Sequence, residues 1–371
     1  MTIFWWVLAI LGFLVLLLIA TGTYFAAVLR WGDERTIGLN YYGLPPAGRD
    51  AFKRRLAFHA RMLQPILWLT TRKAMDFRSA RMQYKGIAAP SDSCRAEGFA
   101  RAEAYTPQSE DVFVVTQMKC GTTWMQHVVF QIVHRGHGDL VETGRAMYAV
   151  SPWIEGRKSV SIEDAKPVGM ARPTRIIKTH LPSQLCPYNA AAKYIYVARH
   201  PVSCFASCVD FVVTNLGTMA PGLPAFEEWY TSPELMWWGT WADHIKGWWK
   251  RAEEHPENVL LVYFEDMKKD LPATVRRVTA FLGVAPLNEE ELASAVHKCS
   301  FAYMQEHQDN FEMHPPHLLQ TDAEMFVSGS ADRHKDVSPD VRARIARWAV
   351  QEMSLSSFPL AERYPDLTGK M

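Results

Sequence analysis

A lysine, a glycine and two threonines stand together in Lys119-Cys120-Gly121-Thr122-Thr123, and Trp124 then opens an apolar run through Val128, Val129, Ile132 and Val133. This set suits an anion, because the N–H groups and positive dipole end of a helix N-terminus, an ammonium and two hydroxyls would converge on one place. The order differs from the nucleotide-hydrolase loop, which places a glycine four residues ahead of Gly-Lys-Ser/Thr, whereas here the lysine precedes the glycine. Further on, His180 follows Arg175-Ile176-Ile177-Lys178-Thr179. A histidine's near-neutral pKa suits removal of a proton from a hydroxyl. Arg199 follows Tyr194-Ile195-Tyr196-Val197-Ala198 and offers a planar fork for a second phosphate, which Ser207, near the start of the next helical stretch, is placed to share. Each residue alone has a plain alternative: His180 is one of 13 histidines, and an isolated arginine is as readily a surface residue paired with an acid. Their shared position, just after a short apolar run, sets them apart.

The elements that must carry them are short runs at 113–115, 175–178, 194–197 and 259–264. Each is too short for a helix and rich in β-branched or aromatic residues, the pattern of buried parallel strands joined by crossover helices. Ligands in such sheets bind at the carboxyl ends of the strands. Lys119, His180, Arg199 and Glu265 or Asp266 all fall just past a predicted strand, so the fold class is α/β: a central parallel sheet flanked by helices, with the informative residues on one edge. No internal repeat or low-complexity segment interrupts the pattern.

A chain of 371 residues exceeds one average domain, but a large α/β sheet absorbs this length, and we expect one globular domain plus an attachment device. Lys+Arg 40 against Asp+Glu 39 leaves a net charge of +1, so bulk charge gives no reason to expect nucleic acid, and any anion site is local. The six cysteines are scattered, form no Cys-x-x-Cys pair and read as reduced thiols. Residues 3–29 contain no charge and exceed the roughly 20 apolar residues that cross a bilayer. A cleaved signal peptide is the alternative; the absence of Lys or Arg before the run, its length and the lack of a small-x-small site favour an anchor. Arg30, Arg35, Lys53, Arg54, Arg55 and Arg61 follow the run, which predicts a single-pass protein with its body on the cytoplasmic side, the lumenal orientation staying open. The stretch 50–85 reads as a helix rich in apolar residues and bases, broken or kinked at Pro65. It suits either an interfacial segment on anionic lipid or an amphipathic helix packed on the body. The expected plan is an anchor at 1–29, a basic juxtamembrane region at 30–97 and a catalytic domain at 98–371.

Taken together, these stretches resemble the sulfotransferase family that uses 3′-phosphoadenylyl sulfate (PAPS), most closely its cytosolic small-molecule branch. The family's loop reads Tyr-Pro-Lys-Ser-Gly-Thr-Thr-Trp, against Gln117-Met118-Lys119-Cys120-Gly121-Thr122-Thr123-Trp124 here. Lys-Thr-His-Leu-Pro matches at Lys178 to Pro182, and Tyr-Val-Ala-Arg at Tyr196 to Arg199 with Ser207 eight residues on. The stretch from Trp238 to Trp249 is similar to the family's Gly-Ser-Trp…His-Val…Trp-Trp helix, Phe264-Glu265-Asp266-Met267-Lys268 to Tyr-Glu-Asp-Met-Lys, and Ser300-Phe301 with Met304 to Thr-Ser-Phe…Met. The likeness runs in order through roughly residues 99–349.

The resemblance implies that Lys119, Cys120, Gly121, Thr122 and Thr123 hold the 5′-phosphosulfate of PAPS, that Trp124 and Phe301 sandwich the adenine, that Arg199 and Ser207 hold the 3′-phosphate, and that Phe264 also belongs to the PAPS-binding residues. It implies His180 as the base, Lys119 as neutraliser of the leaving phosphate and Lys178 as a second donor at the sulfuryl group; no metal is implied. Sulfuryl transfer, like phosphoryl transfer, asks mainly for positioning, a base and fixed positive charge. The sequence departs from the family at Cys120 (usually Ser), Cys299 (often Thr) and Phe264 (Tyr). The family's Arg-Lys-Gly-x-x-Gly-Asp-Trp segment over the 3′-phosphate is here Val327 to Asp336, without the two bases before Gly329; Arg333 or Lys335 are left to substitute. The expected activity is sulfuryl transfer to a hydroxyl of a small, apolar or lipid-like acceptor, with the aromatics Phe226, Trp229, Tyr230, Trp237 and Trp238 on the acceptor side or in the core. A catalytically weakened nucleotide-binding scaffold and a small-molecule kinase are the alternatives.

Overall fold

The computed structural model describes residues 2–312, 315–319 and 332–368. Helix α1 (Thr2–Glu34) changes character at Thr21. Residues 3–20 are all exposed and apolar or small, about 27 Å of helix at 1.5 Å per residue, close to the thickness of a bilayer's hydrocarbon core. From Thr21 onward, Thr21, Phe25, Val28, Trp31 and Gly32 turn inward at i, i+4, i+7, i+10 and i+11, the spacing of one helix face. A short turn of helix, α2 (Leu39–Tyr42), leads to α3 (Pro46–Thr70), which packs antiparallel on that face. Trp31 stacks on Phe52 at 5.3 Å, Tyr24 hydrogen-bonds His59 Nδ1 at 2.6 Å, and the Arg55 guanidinium lies 4.6 Å from the Trp31 ring centre. An ion pair from Arg157 to Asp33 at 2.6 Å ties the end of α1 to the body.

The helix α3 runs through Pro65 without ending there, and Phe52, Leu56, Leu63 and Leu67 are buried in the same cluster as Val112 and Val128. Another face of α3 leaves Phe58, Met62, Ile66 and Leu69 exposed. The stretch 50–85 is therefore not one broken helix: it ends at Thr70, and Arg81 to Tyr84 form the first strand of a hairpin, β1 (Arg81–Tyr84) with β2 (Ile87–Pro90). Its two-residue loop, Lys85-Gly86, has φ of 49° and 82°, the positive values that suit a tight hairpin turn.

After α4 (Ala96–Ala104) come β3 (Asp111–Val115), α5 (Thr122–Val133), β4 (Arg175–Thr179), β5 (Lys193–Ala198), α6 (Pro201–Leu216), α7 (Leu223–Thr231), α8 (Trp241–Glu254) and β6 (Val259–Tyr263). The sheet is wholly parallel, ordered β4-β3-β5-β6. Its central strands are buried on both faces, and alternate residues feed opposite layers: Phe113, Tyr194 and Tyr196 one, Val112, Val114 and Ile195 the other. The chain continues through α9 (Phe264–Lys269), α10 (Leu271–Phe281), α11 (Glu289–Lys298), α12 (Phe301–Glu306), α13 (Gln308–Phe311) and α14 (Pro339–Met353). Among the described residues two helices are long and apolar enough to cross a membrane, α1 and the stretch Pro201–Met219 containing α6. The latter packs inside the body and contributes Cys204 and Val212 to its core.

Candidate active site

Strands β3 and β5 are neighbours whose onward connections diverge, β3 leading to β4 on one side and β5 to β6 on the other. The crevice between their carboxyl ends is the switch point at which such sheets hold ligands. The Lys119 loop leaves β3 and Arg199 leaves β5, and the Arg199 guanidinium reaches across to donate to the Lys119 carbonyl at 2.7 Å. Lys119 takes a left-handed φ of 63°, an uncommon geometry for a side-chain-bearing residue and one that clusters at functional sites. Gly121, at φ 98°, caps α5 with no side-chain hydrogen bond. A Cβ on it would meet Phe264 at 2.9 Å, so the loop needs glycine both for its dihedral and for this approach. Burial pulls the Lys119 ammonium down to about 8, and its Nζ lies 4.6 Å from the centre of the Phe211 ring.

The carboxyl end of β4 carries Lys178 and His180, both buried. His180 Nδ1 lies 2.9 Å from the Thr116 carbonyl. A carbonyl only accepts, so Nδ1 carries the hydrogen and Nε2 is left with the lone pair of a base. Burial, then the neighbouring Lys178 charge, hold the ring well below the ordinary histidine range, so it is neutral at neutral pH. Its backbone N–H donates to Glu155 Oε1 at 2.7 Å, while Glu155 Oε2 accepts from Thr179 Oγ1 at 2.9 Å. Lys178 Nζ has no hydrogen-bond acceptor among the described residues; it lies 3.8 Å from the Trp153 ring centre and 4.9 Å from that of Tyr148. Burial pulls its pKa down to about 7, with the Glu155 charge opposing. A buried ammonium with aromatic faces around it and no oxygen partner carries an uncompensated desolvation cost, which an anion beside it would relieve.

Helix α8 holds this edge together. Trp241 Nε1 donates to the Arg199 carbonyl at 2.9 Å, His244 Nε2 to the His180 carbonyl at 2.9 Å, and Trp248 Nε1 to the Leu181 carbonyl at 3.2 Å. Positions 241, 244 and 248 share one helix face, so the tryptophan- and histidine-rich motif pins the chain where it leaves β4 and β5.

On the other side of Arg199, Phe264 lies under the guanidinium at 4.3 Å, and Glu265 Oε1 accepts the His200 N–H at 2.9 Å. Ser207 is half-buried, one turn beyond Ser203 on α6. Trp124 is oriented by a bond from its indole N–H to the Cys299 carbonyl at 2.7 Å. The Lys268 ammonium lies 5.9 Å from the Trp124 ring and 5.7 Å from that of Phe301, so both faces belong to one region. Gly329 lies outside the described residues. Arg333 is ion-paired with Asp210 of α6 and with Asp336, Lys335 is exposed and paired with Asp332, and a second contact to α6 comes from His334, whose N–H donates to Ser203 Oγ at 3.1 Å. Cys120 packs with its Sγ 3.6 Å from that of Cys204, above Cys208, and all three thiols are buried.

His180 opens on a cavity of ≈ 370 Å³, a size that suits a small apolar ligand. Trp237 and Trp238 line it; Phe226, Trp229 and Tyr230 do not and are core residues, Trp229 stacking on Phe77 at 4.5 Å. Sequence reasoning passed over Glu155, Thr116, Trp153 and Tyr148. Glu155 and Trp153 come from an irregular loop with no periodicity, brought in by a bridge between Trp153 and Lys178. Thr116 carried a signal, since it directly follows β3.

The family description "Sulfotransferase domain" matches residues 109–357. The mouse (Mus musculus) sulfotransferase 2B1 is 32% identical over 265 residues, 68% of this chain and 75% of that protein. Human (Homo sapiens) sulfotransferase 1C2 is 31% identical over 219 residues, 57% of this chain and 71% of that protein. Two solved structures share the fold, each with a TM-score of 0.60. Mouse sulfotransferase SULT7A1 complexed with PAP is 22% identical and covers 78% of this chain and 100% of its own. Retinol dehydratase in complex with androsterone and PAP is 19% identical and covers 81% of this chain and 95% of its own. With that match extending over most of the catalytic body, the chain belongs to the sulfotransferase family and is a PAPS-dependent sulfotransferase.

Proposed function

We propose that the protein is a membrane-anchored O-sulfotransferase acting on the hydroxyl of a small, apolar, lipid-like acceptor, with His180 as general base. The observation that carries this reading is His180 itself: neutral, with its hydrogen held on Nδ1 by Thr116, at the wall of an apolar cavity and beside an ammonium that has no acceptor among the described residues. In PAPS the sulfuryl group is already joined to a good leaving group, the 5′-phosphate of 3′-phosphoadenosine 5′-phosphate (PAP). Here Lys119, Cys120 and the N–H groups from Gly121 to Thr123 would hold that phosphate. Trp124, Phe264 and Phe301 would hold the adenine, and Arg199 with Ser207 the 3′-phosphate. Arg333, Lys335 and Gly329 belong to the segment that in the family closes over that phosphate.

As the acceptor oxygen bonds to sulfur and the sulfur–phosphate oxygen bond breaks, His180 Nε2 takes the hydroxyl proton. Lys119 and Lys178 stand against the charge gathering on the equatorial and leaving oxygens. Residues 3–20 of α1 would cross the bilayer, and Arg30, Arg35 and the bases at 53–55 would keep the body cytoplasmic. A PAP-binding scaffold is the competing reading, because Arg333 and Lys335 are both occupied by carboxylates.

The test is transfer of labelled sulfate from PAPS to a membrane lipid extract, alongside PAP binding. His180→Ala should lower transfer by about 10²- to 10⁴-fold while PAP affinity is kept. Transfer surviving the substitution removes His180 from the mechanism, and tight PAP binding without transfer by the wild type establishes the scaffold.

A further inference from the structure

The cavity at His180 is not closed by the catalytic body alone. Four residues of α1, Val28, Leu29, Gly32 and Asp33, line it together with Phe211, Trp238 and His180. The same helix is apolar and exposed through residues 3–20 and becomes inward-facing from Thr21, so its surface passes from the bilayer-crossing length to the cavity wall without a break. At Gly32 a Cβ would meet nothing within 4 Å, so a side chain there would grow into open space. The wall is also held in place: Asp33 is ion-paired with Arg157, the Gly38 N–H donates to the Arg157 carbonyl at 2.8 Å, and Trp31 is stacked on Phe52.

Helix α3 adds a second feature of the same side. Its exposed Phe58, Met62, Ile66 and Leu69 share a helix face, and Arg54 and Arg61, both exposed, border it. An apolar stripe flanked by arginines whose stems can lie along it while their heads reach phosphate is how a helix lies at a lipid surface. Helix α3 touches α1 at Tyr24 and Trp31, just past the bilayer-crossing length, so the two helices seat the cavity at the leaflet boundary.

We propose that α1 is part of the acceptor site, and that the acceptor is a hydroxylated lipid drawn sideways out of the adjoining leaflet along Val28, Leu29 and Gly32. The inference rests on the sulfotransferase reading of the His180 cavity and adds the source of its substrate. The hydroxyl, the one polar end of such a molecule, travels toward His180, while the apolar remainder stays against α1, Phe211 and Trp238. An aqueous acceptor would need no wall supplied by a membrane helix.

The full chain in phosphatidylcholine vesicles containing a diazirine-bearing long-chain alcohol tests this by photolabelling and mass spectrometry. In the wild type, label is expected on residues 3–20, on the stretch with Val28 to Gly32, and on the peptide carrying Trp238. Gly32→Trp should cut label at Trp238 severalfold without changing label on 3–20, Gly32→Ala should leave both near wild type, and unchanged PAP affinity in both variants shows that the fold is intact. Label confined to residues 3–20, or equal label at Trp238 in Gly32→Trp, overturns the proposal. Absence of sulfate transfer with labelling as expected removes the catalytic reading and leaves the lipid route standing, so the two failures are distinct.

Discussion

Lys178 is the residue whose charge depends most on what else is present. Burial lowers its pKa to about 7, and burial likewise brings Lys119 to about 8, so without an anion both ammoniums are partly lost just above neutrality. A bound phosphate or sulfuryl oxygen favours the charged forms, so binding takes up protons and affinity falls as pH rises through these values. PAPS affinity measured calorimetrically without acceptor is expected to be flat below about pH 6.5, to fall by up to about tenfold per unit beyond pH 7, and to steepen beyond 8. Lys178→Met should remove the earlier limb and leave the later one; an unchanged profile would mean that Lys178 does not face the anion. Cys120 differs in kind from these lysines. Its thiol is buried, burial pushes its pKa up, and a thiol kept protonated and out of solvent is poorly reactive, so its closeness to Cys204 reads as packing.

At the scale of elements, the turn from β3 into α5 is where local geometry and the proposed phosphate-binding role coincide. Gly121→Ala puts a Cβ into a left-handed dihedral and against Phe264, a combination expected to cost about 1–3 kcal/mol and to displace the first N–H groups of α5. Thermal melting should show the loss, and PAP affinity should fall with it; a variant with wild-type melting and affinity would show that the loop tolerates another conformation. The four parallel strands were legible because strands buried on both faces have only apolar residues to show, as in Phe113-Val114-Val115 and Tyr194-Ile195-Tyr196-Val197. The hairpin was not, because Arg81-Met82-Gln83-Tyr84 is a polar, partly exposed edge with no such run, and the helical pattern before it was extended too far. His180 and Arg199 could be found because each directly follows a strand. Glu155 could not, because a loop with no period of its own carries it to the His180 N–H.

For the whole molecule, the division of α1 at Thr21 predicts two different deletions. Removing residues 3–20 takes away only exposed apolar or small side chains and should give a soluble protein that binds PAP with wild-type affinity. Removing residues 2–34 also strips Val28 and Trp31 from α3 and the Asp33 partner from Arg157, and should lower the melting temperature and cause aggregation. Equal behaviour of the two truncations, read by melting and sedimentation, would show that the second half of α1 contributes nothing to the fold. The length and apolarity of this helix were plain in the sequence, but its second role was not, since Phe25, Val28 and Gly32 are as apolar as the residues before them and only the partner face on α3 distinguishes them. The proposed wall, shared between bilayer and cavity, also bears on how the enzyme would sense concentration. PAPS would be counted per volume of water, but the acceptor per area of membrane. Diluting the vesicles with buffer should leave the rate per enzyme unchanged at saturating PAPS, whereas diluting the acceptor with inert lipid should lower it, so the protein would respond to the make-up of its leaflet and be blind to the amount of membrane around it.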